Sequence, residues 1–106
     1  MTDTPNQKVG SNEVDALVGQ AWGQHYHGQN DAAIQAFRDI VTRWPDHIDA
    51  NYGLALSLKK AGQKAEATEA FNRTKGLIQS AGTKAEDDNS RMQMLTRMID
   101  QHLSMM

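Results

Sequence analysis

The chain repeats itself at a shift of 34 residues, and no other feature narrows its possible folds as much. Laying Val14–His47 over Ile48–Ala81 without a gap pairs Asp15 with Asp49, Ala16 with Ala50, Gly19 with Gly53 and Ala21 with Ala55. Further along, Gly28 meets Gly62, Gln29 meets Gln63, Ala33 meets Ala67, Ala36 meets Ala70 and Phe37 meets Phe71. That is nine identities over 34 positions, where ordinary composition would give roughly two or three. A unit of this length is one supersecondary element, too small to bury its apolar face alone, so successive units must stack.

Inside each unit the spacing is helical. Val14, Leu17, Val18 and Ala21 recur on one side of a helix that Asn12 can cap, with Asp15 three residues on, and that runs to about Tyr26. Gly28 and Gly62 stand where the first helix of each unit ends, suited to a left-handed C-cap. A second helix is expected from Asn30 to Arg43, stopped by Trp44 because the residue before Pro45 is pushed out of the helical region. Asp46 is the expected cap of a third helix carrying Ile48, Tyr52, Leu54, Ala55 and Leu58, and a fourth should span about Lys64 to Ser80. Ala21, Ala33, Ala55 and Ala67 let paired helices approach closely, while Phe37 and Phe71 fill the wedge between hairpins. Residues 1–11 read as a disordered tail, 12–81 as two hairpins (14–47 and 48–81) and 82–106 as a closing helix.

The period, the small residues at Ala21 and Ala55, the doubled A-x3-F at Ala33–Phe37 and Ala67–Phe71, and Pro45 eight residues after Phe37 together resemble the tetratricopeptide repeat. The resemblance covers Asn12 to about Gln79. Its departures are Leu17 and Asn51 where an aromatic usually opens the first helix, Gln24 and Leu58 at the later tyrosine position, and Gln79 in place of a second closing proline. The resemblance implies an all-α, right-handed superhelical stack of two antiparallel hairpins. It also implies a groove along the first helices for a peptide or partner helix, at Val18, Trp22, His25 and Tyr26 in one copy and Tyr52, Leu56, Lys59 and Lys60 in the other. Trp22 is the expected anchor, since aromatic side chains carry much of an interface's energy. The subfamily that grips a terminal carboxylate does so with lysine and asparagine where Val18, Trp22 and Gly53 stand here, so that specificity is not expected.

After the repeats, Gly82 and Thr83 with Glu86 read as a C-cap followed by a capping box, opening a fifth helix near Lys84 that runs to about Ser104. Met92, Leu95, Ile99, Leu103 and Met106 form a stripe that covers the last hairpin, as a terminal helix of a stack must. Met94, Met98 and Met105 lie on an adjoining face and widen the apolar sector beyond one packing surface. They read either as loosely exposed methionines or as a self-association or partner surface. Glu86, Asp87 and Asp88 in the first turn complement the helix dipole better than they form a cation site.

Chemistry has little to stand on. Cysteine is absent from the 106 residues, and His25, His27, His47 and His102 are not spaced as a metal set. His25 and His27 read as a polar helix end, partly protonated against the negative pole of the dipole. No phosphate cradle, H-E-x-x-H or nucleophile elbow occurs, so neither catalytic residues nor a metal nor a cofactor is expected. A net charge of −2 makes nucleic acid an unsuitable partner. Without a long apolar run or the apolar core of a signal peptide in residues 1–10, no membrane association and a cytoplasmic location are expected. Lys59, Lys60 and Lys64 read either as a solvated helix end or as a basic rim that steers an acidic peptide, given seven acidic against three basic side chains in residues 1–56. The expected function is a non-catalytic adaptor or assembly factor that binds a protein or peptide in the groove. The alternative is a structural module that forms a homodimer through the methionine-rich helix.

Overall fold

The computed structural model describes residues 6–82 and 89–106, with side chains over 13–80 and 93–106. Among them the chain is all-α: α1 (Asn6–Tyr26), α2 (Asn30–Arg43), α3 (Ile48–Lys60), α4 (Lys64–Gly82) and α5 (Asn89–Met105). Two antiparallel hairpins, α1–α2 and α3–α4, stack as in tetratricopeptide repeats, and α5 packs onto α4.

The turns within the two hairpins are built identically. Gly28 and Gly62 have φ of 77° and 82°. Gln29 N donates to Gln24 O and Gly28 N to His25 O, and Gln63 N donates to Leu58 O and Gly62 N to Lys59 O. This double bond pattern is the Schellman motif, which needs a left-handed residue that glycine supplies without a Cβ clash.

Between the hairpins the cap differs from expectation. His47, not Asp46, is the N-cap of α3, and its Nδ1 accepts from Ala50 N at 3.1 Å. The cause is Asn51, fully buried, whose Nδ2 donates to Pro45 O and His47 O and draws the turn against the first turn of α3. The position that usually holds an aromatic thus ties down the connection. α1 also departs from its expected start. It begins at Asn6 and passes through Asn12, so the expected disordered tail is helical over 6–11, while residues 1–5 lie outside the described residues. No proline interrupts 6–12, and Pro5 just before Asn6 is a residue type favoured at helix starts. The capping box at Thr83 and Glu86, and the acidic triplet that follows, also lie outside the described residues.

α3 is the centre of the core, with Ala50, Asn51, Tyr52, Gly53, Leu54, Ala55, Ser57 and Leu58 all buried. α2 offers it one stripe, Ala33, Ile34, Phe37 and Ile40. The Phe37 ring lies directly on Gly53, so closely that a Cβ there would fall 2.3 Å from the ring. This explains the glycine at position 53, because any side chain there would displace the wedge, whereas at Gly19, its counterpart in the first copy, a Cβ would meet nothing within 4 Å. Phe71, the equivalent wedge in the second hairpin, is equally buried, but its cover is His102 of α5, stacked at 5.2 Å and 10°.

Candidate functional site

The repeat places Trp22 and Tyr26 on α1 beside Asp49 and Tyr52 on α3, and α5 brings Met94, Leu95 and Met98 up to them. These seven residues line an open groove of about 430 Å³. A smaller cleft of about 230 Å³ lies between α1 and α2, lined partly by Gln20, Gln24, Asp39 and Arg43. The larger groove is distinguished by what it exposes: Tyr26 is 75% accessible, Met94 61% and Met98 40%.

Five of the eight expected groove residues stand elsewhere or act otherwise, and Trp22, Tyr26 and Tyr52 line it. Val18 is buried with Val14 and Ala21, one helical stripe committed to the core, so it is not part of the wall. Leu56 is half-buried against the core and lines no part of the groove. Lys59 is not a free rim cation, since its Nζ donates to His102 Nδ1 at 2.8 Å. Lys60 is exposed outside the groove, near enough to His25 to disfavour that ring's protonation. His25 itself lies 3.3 Å from Ser57 Oγ, between α1 and α3 rather than in the groove.

Trp22 is shared between core and groove. Its ring meets Phe37 edge-on at 5.3 Å, stacks with Tyr26 at 5.7 Å and 24°, and lies 6.4 Å from Tyr52. Trp22 Nε1 donates to Asp49 Oδ2 at 3.2 Å. Tyr52 is largely buried, and its hydroxyl is pushed above its ordinary value by burial, then by the Asp49 carboxylate and by Tyr26. Asp49 and Leu95 were not foreseen here. The pairing of Asp15 with Asp49 in the repeat was the available signal for Asp49, whereas Leu95 was already assigned to covering the hairpin.

The methionines divide. Met94 and Met98 form the α5 wall of this groove, so the two surfaces considered separately in the sequence are opposite sides of one cleft. Met105, 68% exposed, is not among its lining.

The sequence expects His25 and His27 to form a partly protonated polar helix end; for His25 the structure corrects this, since burial and Lys60 disfavour its protonation, and His102 takes a structural place that the sequence does not assign to it. Lysine has only donors, so Lys59 donates the hydrogen bond to His102 Nδ1, which is an acceptor only while the ring is neutral and carries its proton on Nε2. Tyr52 and Phe71 pack their rings against His102 from α3 and α4, and Lys75 and Asp100 pair at 2.6 Å across the same α4–α5 contact. Burial, then Lys59, lowers the pKa of His102, and burial, then Lys60, lowers that of His25. Both rings therefore bind protons less readily folded than unfolded, and stability must fall as the pH drops through the ordinary value of 6.5. The melting temperature is expected to decline between about pH 7.5 and 5.5, and less so in His102→Gln, which keeps an acceptor without titrating. A profile identical in the variant would show that protonation of His102 is not linked to unfolding.

Among the described residues no helix is long and apolar enough to cross a membrane, and no three His, Cys, Asp or Glu side chains are grouped to hold a metal ion. A family model described as the tetratricopeptide repeat matches residues 25–99. No curated protein and no solved structure matches the chain.

Proposed function

Because the chain belongs to the tetratricopeptide repeat family, whose repeats generally mediate protein–protein interaction, we propose that it is a non-catalytic adaptor or assembly factor that takes a partner peptide or helix in the groove between α1, α3 and α5. One observation carries the reading: Tyr26, Met94 and Met98 keep large apolar side chains exposed around a single cleft. Contiguous apolar surface of this kind marks an interaction site on a folded chain. The two walls suit different tasks. Trp22 and Tyr52 are held rigidly by their ring contacts and can anchor a partner, whereas flexible thioethers adapt to its shape.

Trp22 is a poor probe, since its contact with Phe37 makes it part of the core as well. Tyr26→Ser and Met98→Ser are cleaner because both side chains are exposed. Each should leave the melting temperature within a few degrees and weaken capture of the partner from the source cell by roughly tenfold, about 1.4 kcal/mol. Undiminished capture by both variants would remove the groove from consideration. A second reading, self-association through α5, is favoured by Met105, which is exposed beyond the groove on the same helix. Light scattering decides between them: a two-chain mass that falls to one chain in Met105→Ser supports the dimer, and a one-chain mass throughout rejects it.

A further inference from the structure

Among the described residues, the groove carries charge of one sign. Asp49 is the single carboxylate among the described residues that line it, and no lysine, arginine or histidine lines it with Asp49. Lys59, which the sequence places on the rim, does not line the groove and directs its ammonium to His102 Nδ1. The indole N–H of Trp22 holds Asp49 through Oδ2, yet a carboxylate has two oxygens and about four acceptor positions, and this one is exposed. Capacity for a further donor remains.

The surroundings favour the same kind of donor. Trp22 and Tyr26 stack at 5.7 Å, and Tyr52 is tilted at 49° to Trp22 with centroids 6.4 Å apart, so three clustered aromatic rings share the groove with one carboxylate. Ring faces carry the negative part of the aromatic quadrupole and attract cations. The methionine sulfurs opposite are polarizable weak acceptors. A cationic head on an apolar stem gains from the carboxylate, the rings and the thioethers together. An acidic side chain would meet Asp49 with like charge, and a purely apolar one would desolvate the carboxylate without replacing its water.

We propose that the groove takes a lysine or arginine side chain of an apolar partner helix, with the charged head at Asp49 and the stem along Trp22, Tyr26 and Met98. This rests on the reading of the groove as a docking surface and adds the sign of the partner's charge, which is opposite to the acidic peptide that Lys59 and Lys60 suggest in the sequence. Three amphipathic peptides with one shared leucine pattern, differing only in lysine, glutamine or glutamate at the central position, are titrated into the full chain and followed by tryptophan fluorescence. The lysine peptide is expected to bind about fivefold more tightly than the glutamine peptide, and the glutamate peptide more weakly than both. Asp49→Asn, which keeps an oxygen for Trp22, should erase the difference between lysine and glutamine. Equal binding of all three in the wild-type chain overturns the charge assignment and leaves the groove in place, and a lysine preference that survives Asp49→Asn overturns it too. Binding that is unaffected by Tyr26→Ser overturns the groove itself, and the inference with it. Independently of peptide design, tetramethylammonium chloride at the same ionic strength as a sodium chloride control should shift the Trp22 indole N–H resonance in the wild type and not in Asp49→Asn. Absence of that shift in the wild type overturns the cation site.

Discussion

Phe37→Ala is expected to destabilise the fold by about 3–5 kcal/mol, the usual range for losing a buried phenylalanine, and to leave little of the cooperative transition in a chain of this size. The ring is fully buried, lies against the backbone of α3 at Gly53 and meets the edge of Trp22. The cavity left behind cannot close easily. Gly53 has no side chain to move into it, and the first turn of α3 is held by the Asn51 bonds to Pro45 O and His47 O. Urea unfolding followed by circular dichroism checks this. Phe71→Ala should fall in the same range with a different signature, because His102 stacks on that ring and α5 should lose its protection from amide exchange along with the core. A loss below about 1 kcal/mol at Phe37 would mean that the hairpins do not depend on the wedge, since surface-like changes lie in that range.

Truncation after Gly82 is expected to have the larger effect and to abolish cooperative melting. It removes Ile99, which is fully buried, together with the ring that covers Phe71, the Lys59–His102 bond and the Lys75–Asp100 pair. Burying one such aliphatic side chain contributes about 1.5–3 kcal/mol, and uncovering Phe71 adds a comparable term. Two repeats of a stack, for which about three are usually needed, have no reserve to offset that. The exposed ion pair contributes little and mainly sets how α5 lies on α4. A truncated chain that melts as sharply and as high as the whole one would show that α5 is an appendage and that the groove loses a wall without losing its scaffold.

Much of the scaffold was legible because it is written in local rules repeated at a fixed period. Gly28 and Gly62 announce their turns through a backbone conformation that few residues tolerate, and Pro45 ends α2 through sterics with Trp44. Ala33, Phe37, Ala67 and Phe71 announce the core by recurring in both copies, and all four are buried. The misassigned cap of α3 has a local cause, competition between neighbours. Asp46 and His47 are both plausible caps, and only the buried Asn51 amide, which no cap preference takes into account, selects between them.

The sequence by itself determined the family, the four repeat helices, the turns that join each pair and the aromatic wedges, since each depends on residues within one period of each other. Tertiary structure alone decided the site. Whether Met94 and Met98 face solvent, a second chain or the aromatics of α1 depends on how α5 lies across α3 and α4, and α5 falls outside the 34-residue period that aligns everything before it. The same placement turns Lys59 towards His102 and, among the described residues, leaves Asp49 as the charge in the groove. Helical spacing states which residues share a face. It does not state what that face meets, because the angle between packed helices is set by side-chain interdigitation across the whole contact.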